Sequence, residues 1–144
     1  MGKAFEHFKE FIKQKGLRLT GQREAIVKMF LAKKGHLCVD ELYYALRKKD
    51  PHIGYVTVYR TLKLLKEAKM ASEVNFIGKK KRFEQKLGHP AHAHLICLAC
   101  GKVIEFTDPG LEKRQEELCK KYKFRNEKSM KIFGVCEPCQ KKEK

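Results

Sequence analysis

His92-Ala93-His94-Leu95-Ile96-Cys97-Leu98-Ala99-Cys100-Gly101-Lys102-Val103-Ile104-Glu105-Phe106 is the stretch from which the rest of the chain can be read. Its flanks, Ala93–Leu98 and Lys102–Phe106, have the composition of short strands, and its middle is a Cys-x-x-Cys turn followed by glycine. Alternate residues of an extended segment share a face, so His92 and His94 can ligate one ion together. Thiolates two residues apart reach a single tetrahedral zinc, because the turn between them brings the sulfurs together. A second pair, Cys136-Glu137-Pro138-Cys139, follows a gap of 35 residues, long for a simple zinc ribbon. That gap holds a helix opened by Asp108 as N-cap and Pro109 in the first turn, running to about Tyr122, and then a strand over 127–135. Strand, strand, helix, strand makes a small α/β module, with zinc on Cys97, Cys100, Cys136 and Cys139 clipping its end to its beginning. Four thiolates leave no open coordination position, so that zinc is structural. The other readings of the cysteines are a redox dithiol or unlinked thiols.

Upstream, Gly88-His89-Pro90 reads as a hinge, and before it the apolar spacing turns helical. Phe5, Phe8, Phe11 and Ile12 share one face of a helix over 4–14, ended by Gly16. Thr20 caps a second helix that buries Ile26, Val27, Phe30 and Leu31 and stops at Gly35. A third spans 39–49 and a fourth 55–69, the latter with Val58, Leu62 and Leu65 on one stripe. Two strand-like runs follow, Glu73–Ile77 and Arg82–Glu84, joined by a turn through Gly78 and Lys79–Lys81. One extra helix, then three helices and a hairpin, is the order of a winged helix-turn-helix, although other helical bundles give a similar string. The expected fold class is α+β, with a winged-helix DNA-binding domain over 1–86 and an α/β dimerisation and metal-binding domain over 87–144. The tail Lys141–Lys144 is expected to be disordered.

Charge divides unevenly between these halves. The net charge is +16, and residues 1–86 carry 21 Lys/Arg against 9 Asp/Glu, whereas the remainder carries 12 against 8. Concentrated positive charge favours a polyanion, usually nucleic acid, although a solvated lysine-rich surface has the same composition. On the fourth helix the core stripe leaves Tyr55, Thr57, Tyr59, Arg60 and Lys63 outward. This mixture of a guanine-reading Arg, methyl-packing Tyr and phosphate-binding Thr suits the major groove. Arg18 is placed to reach the minor groove, and Lys79, Lys80, Lys81 and Arg82 to meet backbone phosphates at the wing tip.

The start of the chain carries charges where a signal peptide needs an apolar run, and no stretch is long enough to span a membrane. The expectation is a cytoplasmic protein whose six cysteines are ligands or free thiols rather than disulfides. Cys38 and Cys119 lack partners and read as small buried hydrophobes. With Glu84 at the end of the wing strand and His36 before the third helix, His92 and His94 suggest a site for Zn(II), Fe(II), Mn(II) or Co(II). Its ligands come from both halves, so a metal would fix the angle between them, a physical basis for a switch. No acid–base constellation accompanies these ligands, which argues against a metal-dependent hydrolase and against an enzyme of any kind.

These segments resemble the ferric uptake regulator family. The resemblance is carried by Gly16-Leu17-Arg18-Leu19-Thr20 with Gln22-Arg23, by His36 before Asp40-Glu41-Leu42-Tyr43, by Thr57-Val58-Tyr59-Arg60-Thr61-Leu62, by Arg82-Phe83-Glu84, and by His92 through Phe106. It implies a homodimeric metal-dependent repressor acting on inverted-repeat operators. It implies a sensing site of His36, Glu84, His92, His94 and Glu105, with the four cysteines on structural zinc. It implies Tyr59 and Arg60 in the major groove and Arg18 near the minor groove. Where many members have a further site, this chain has Ala91, Ala93, Glu112 and Lys128, so that site is expected to be absent, with His89 as the nearest substitute. The peroxide-sensing branch carries aspartates where Glu84 and Glu105 stand, and the zinc-sensing branch adds a cysteine before the histidines. Fe(II) is therefore the expected regulatory metal. Zinc, manganese or peroxide sensing is the alternative within the family, and a constitutive DNA-binding protein with purely structural metals the alternative outside it.

Overall fold

A computed structural model describes residues 2–75, 80–86, 92–126 and 129–143, which divide into two units, 2–75 with 80–86 and 92–143. In the first, α1 (Gly2–Gln14) buries Phe8 and Ile12 and is closed by Gly16 at φ +70, a left-handed conformation that glycine adopts without steric cost. Thr20 caps α2 (Gly21–Ala32), its hydroxyl accepting from the Arg23 N–H at 3.2 Å. After β1 (Leu37–Cys38) come α3 (Val39–Arg47) and α4 (Tyr55–Glu67), then β2 (Ala71–Val74) and β3 (Arg82–Gln85). The core draws on every helix and on β3, with Ile26, Phe30, Leu42, Val58, Leu62, Leu65 and Phe83 fully enclosed.

The hairpin is a three-stranded sheet of order β1-β3-β2, antiparallel throughout. The expected strand over Glu73–Ile77 begins earlier, at Ala71, and its pairs run from Ala71↔Gln85 to Val74↔Arg82. The reason is the end of α4: Met70 N–H bonds the Leu65 carbonyl at 2.9 Å, and the chain is extended from the next residue. The remaining residues of that expected strand, Phe76 and Ile77, lie outside the described residues, as does Lys79. β1 has no periodicity of its own; it exists because Leu37 and Cys38 pair with Phe83 and Arg82.

In the second unit, β4 (Ala93–Cys97) lies between β5 (Val103–Phe106), antiparallel to it, and β6 (Met130–Gly134), parallel to it. Between β5 and β6 runs α5 (Pro109–Lys121), whose Asp108 cap accepts from the Leu111 N–H at 3.1 Å. The chain ends in α6 (Glu137–Lys142), so the tail expected to be disordered is helical through Lys142, helped by Pro138 in its first turn and a Glu137–Lys141 pair at 2.7 Å. Cys38 is buried as expected, but Cys119 is only half-buried. The single chain offers α5 too little facing surface, and that helix buries no residue. None of the described helices is long and apolar enough to cross a membrane.

One side chain ties the first unit's sheet to its helices. The Gln85 amide nitrogen lies 2.8 Å from the Phe30 carbonyl, 3.0 Å from that of Leu31 and 2.6 Å from that of Lys33. The carbonyls of Leu31 and Lys33 are among those that a helix C-terminus leaves without intrahelical partners, and that of Phe30 has only the Lys33 cap N–H, at 3.3 Å. Gln85→Ala should cost about 1–3 kcal/mol, the usual cost of leaving part-buried acceptors unmatched. Urea unfolding checks this, and a wild-type midpoint would show that water replaces the amide.

Candidate metal centres and nucleic-acid interface

The parallel pairing of β4 with β6 runs to Cys97↔Gly134 and continues with the Leu98 N–H bonding the Gly134 carbonyl at 2.8 Å. It thereby delivers Cys136 beside Cys97 after the 35-residue excursion. Gly101, at φ +72, closes the first Cys-x-x-Cys turn, its N–H bonding the Cys97 carbonyl at 2.9 Å. The four sulfurs of Cys97, Cys100, Cys136 and Cys139 lie within 4.8 Å of one another. A tetrahedral zinc with bonds of about 2.3 Å holds its sulfurs about 3.8 Å apart. Cys100 Sγ and Cys136 Sγ are 3.7 Å apart. The donor set fits a closed zinc site.

Backbone dipoles prepare it. The N–H groups of Cys136 and Cys100 point at Cys97 Sγ, at 3.4 and 3.5 Å, and hold that thiol down to about 6. Crowding by neighbouring sulfurs, Cys136 first, pushes Cys139 up to about 12. One thiolate is favoured and a second beside it is not, so a dication is what lets all four shed their protons.

The same sheet assembles a second donor group. His94 and Glu105 are cross-strand partners on β4 and β5, so their side chains leave the same face. His94 Nε2 stands 4.0 Å from a Glu105 carboxylate oxygen, and His92 stacks edge-on against His94 at a centroid distance of 4.7 Å. His92, His94 and Glu105 each offer a ligand atom within 4.8 Å of the others. His94 is buried whereas Glu105 is exposed. Two imidazoles and a carboxylate suit a divalent first-row metal. In the other unit, the β1–β3 register carried one step past Leu37↔Phe83 sets His36 opposite Glu84, and His36 Nε2 pairs with the Glu84 carboxylate. Arg82 grips the His36 carbonyl at 3.2 Å and reaches Glu41 at 3.3 Å, which fixes the segment carrying this histidine. Glu112 lines a small cleft with His92, Ala93 and Asp108; His89, Ala91 and Lys128 lie outside the described residues.

On α4, Val58, Leu62 and Leu65 turn inward, leaving Tyr55, Tyr59 and Arg60 exposed and Thr57 and Lys63 half-buried. Lys63 lies over the Tyr59 ring at 5.5 Å. Arg18 is exposed just before α2, and its carbonyl accepts from Arg23 at 2.6 Å. Lys80 and Lys81 are exposed before β3. The sequence reading missed Val56, which is 55% exposed and completes an i, i+3, i+4, i+7 stripe with Tyr59, Arg60 and Lys63. Its signal was its absence from the core stripe; an outward methyl pair on such a face suits thymine methyls.

It also missed two acids among these bases. Glu73, its side chain only 7% exposed, is paired with Lys63 at 3.2 Å, Lys66 at 2.9 Å and Lys81 at 3.2 Å, joining α4 to the wing. Asp40 accepts from the Tyr55 hydroxyl at 2.8 Å and pairs through its other oxygen with Lys80, which holds its carboxyl below the usual carboxylate range.

The chain matches the model of the ferric uptake regulator family over residues 14–133. It is 37% identical over 137 residues to the ferric uptake regulation protein of Campylobacter jejuni, covering 93% of this chain and 87% of that one. It is 33% identical over 135 residues to the peroxide operon regulator of Bacillus subtilis, covering 93% of this chain and 92% of the other. Among solved structures it resembles the Helicobacter pylori ferric uptake regulator, described as having three functional metal binding sites. That likeness has a TM-score of 0.80 at 35% identity and covers 96% of this chain and 93% of that one.

Glu73 generates a pH prediction. Its lysines, Lys66 first, hold its carboxyl down to about 2 from an ordinary 4.5, against the opposing effect of burial. A depressed carboxylate stabilises the fold fully above its unfolded value and loses that contribution as pH falls. Acid titration of the unfolding midpoint should therefore show a loss between about 4.5 and about 2 that is diminished in Glu73→Gln. Identical acid limbs in the two proteins would refute this.

Proposed function

The chain belongs to the ferric uptake regulator family of metal-dependent, DNA-binding transcriptional repressors, which are not enzymes, and from that premise we propose that it is an Fe(II)-sensing repressor of metal-uptake genes. The observation that carries the proposal is the donor trio of His92, His94 and Glu105 on a sheet that also holds the four-cysteine cluster. In this reading His36 and Glu84 complete the ligand shell of the regulatory ion from the other domain, and Zn(II) on Cys97, Cys100, Cys136 and Cys139 is structural. Three donors on one side and two on the other are each short of a full shell, so one ion sharing both sets restrains the DNA-reading domain. Glutamates rather than aspartates at 84 and 105 favour iron sensing over the peroxide response, while Zn(II) or Mn(II) in the same site is the second reading. It is supported by a solved zinc-bound manganese uptake regulator at 34% identity and a TM-score of 0.61.

The proposed domains are 1–86 for DNA and 87–144 for dimerisation. The partner in the second is another copy of the chain. Leu95, Ile104 and Ile132 form one row across β5-β4-β6 and are 39%, 45% and 41% exposed, an apolar strip that a second sheet would cover. A two-fold dimer presents two α4 helices to an inverted repeat. On each, Arg60 and Tyr59 contact the major groove, Arg18 enters the minor groove, and Tyr55, Thr57, Lys79, Lys80 and Lys81 meet phosphates. The proposed compartment is the cytoplasm, where thiolates stay reduced.

The deciding measurement is binding of zinc-loaded protein to an inverted-repeat duplex with and without anaerobic Fe(II). Wild type should bind tightly only with Fe(II), and His94→Ala should lose that dependence. Binding that ignores Fe(II) in both proteins would leave a constitutive DNA-binding protein, and the same gain from Mn(II) alone would favour the second reading. Cys136→Ser should release the structural zinc, read by a chromogenic chelator, and abolish cooperative unfolding of residues 92–143, since structural zinc energy is folding energy. Retained zinc with an unaltered dimer would overturn the four-cysteine assignment.

A further inference from the structure

Asp40 occupies the second position of α3, where the helix N-terminus favours a carboxylate. Its two oxygens are used by two different elements. One accepts from the hydroxyl of Tyr55, the first residue of α4, at 2.8 Å, and the other pairs with Lys80 of the wing. The Tyr55 ring is held for this by an edge contact with Tyr43 of α3, at 5.4 Å and 77°. A hydroxyl and an ammonium converging on two oxygens of one anion is the arrangement a duplex phosphate would meet. Lys80 is 74% exposed, so the cation is reachable from solvent while its anion, at 25%, lies behind it. Glu73 differs: it sits beneath three lysines and stays with them, so it orients cations rather than competing for them.

We propose that Asp40 is an internal phosphate mimic: it holds Lys80 and Tyr55 in the free protein and yields them to a DNA phosphate on binding, so it sets the affinity of this face for duplex of any sequence. The proposal rests on the DNA-binding reading of α4 and the wing. Non-specific binding is almost wholly electrostatic and therefore bears the full cost of breaking the Asp40 contacts. Restraint of this kind keeps a chain of net charge +16 from being sequestered on random DNA.

The test is fluorescence-anisotropy binding of a random-sequence duplex over a range of salt concentrations, by wild type, Asp40→Asn, Asp40→Ser and Lys80→Ala, and by Asp40→Asn combined with Lys80→Ala. Glu10→Gln, on the exposed face of α1, controls for the loss of one negative charge. Asp40→Asn and Asp40→Ser should each bind several-fold tighter than Glu10→Gln, with a salt slope steeper by about one, the value for one added phosphate contact. The gain should vanish in the Lys80→Ala background. An equal gain from Glu10→Gln, or a gain that survives without Lys80, would overturn the proposal. Wild type that binds neither this duplex nor an inverted repeat would overturn the DNA-binding reading itself. Two substitutions at residue 40 keep the test sound if one disturbs the start of α3.

Discussion

Each unit hangs on one short central strand that pairs with its neighbour in sequence on one side and with a strand from a distant part of the chain on the other. β3 is paired on both sides, by β1 and β2, and β4 likewise, by β5 and β6. A strand of four or five residues contributes little by itself; its stability is the backbone pairing it receives from both neighbours. The chemistry sits on those strands or directly against them. β3 carries Glu84 and, through Arg82 and Gln85, the contacts that hold the His36 segment and the end of α2. β4 carries His94 and Cys97 and begins beside His92. Ligands in such positions inherit the precision of the sheet, which loop residues lack.

The two donor groups of the second unit differ in chemistry, and the roles proposed for them differ accordingly. Four thiols cannot ionise together without a cation, and once it is bound no coordination position stays open. In the proposed reading that centre belongs to folding. Two imidazoles and a carboxylate, the donors proposed for the regulatory ion, make a more exchangeable site than four thiolates, as that proposed role requires. With both donor groups on one sheet, the β4–β6 pairing that brings Cys136 to Cys97 also fixes the strand bearing His94.

The candidate nucleic-acid face combines a stripe of outward side chains with an internal balance of charge. Val56, Tyr59, Arg60 and Lys63 are the stripe, and Asp40 and Glu73 are the anions set among the bases. Net charge alone describes a surface that binds any polyanion. Under the proposed role of Asp40, its pairing with Lys80 makes that general attraction depend on how well the partner competes for the lysine, whereas Glu73 orients the lysines around it.

Much of this was legible in the residues. Five of the helices followed wherever apolar spacing and caps agreed, as with Thr20 before α2 and Asp108 before α5. The family, the cysteine pairs and the spacing of His92 and His94 were equally plain, because such features are local and their geometry follows from adjacent residues. What could not be read was non-local. β1 exists only through β3, β2 starts at Ala71 because of how α4 ends, and Cys119 stays half-buried because α5 finds too little facing surface among the described residues. Asp40 and Glu73 are ordinary acids in the sequence; only tertiary structure set them against Lys80 and against Lys63, Lys66 and Lys81. Side-chain periodicity is a property of one segment, whereas pairing partners and counter-ions are chosen by which segments the core brings together.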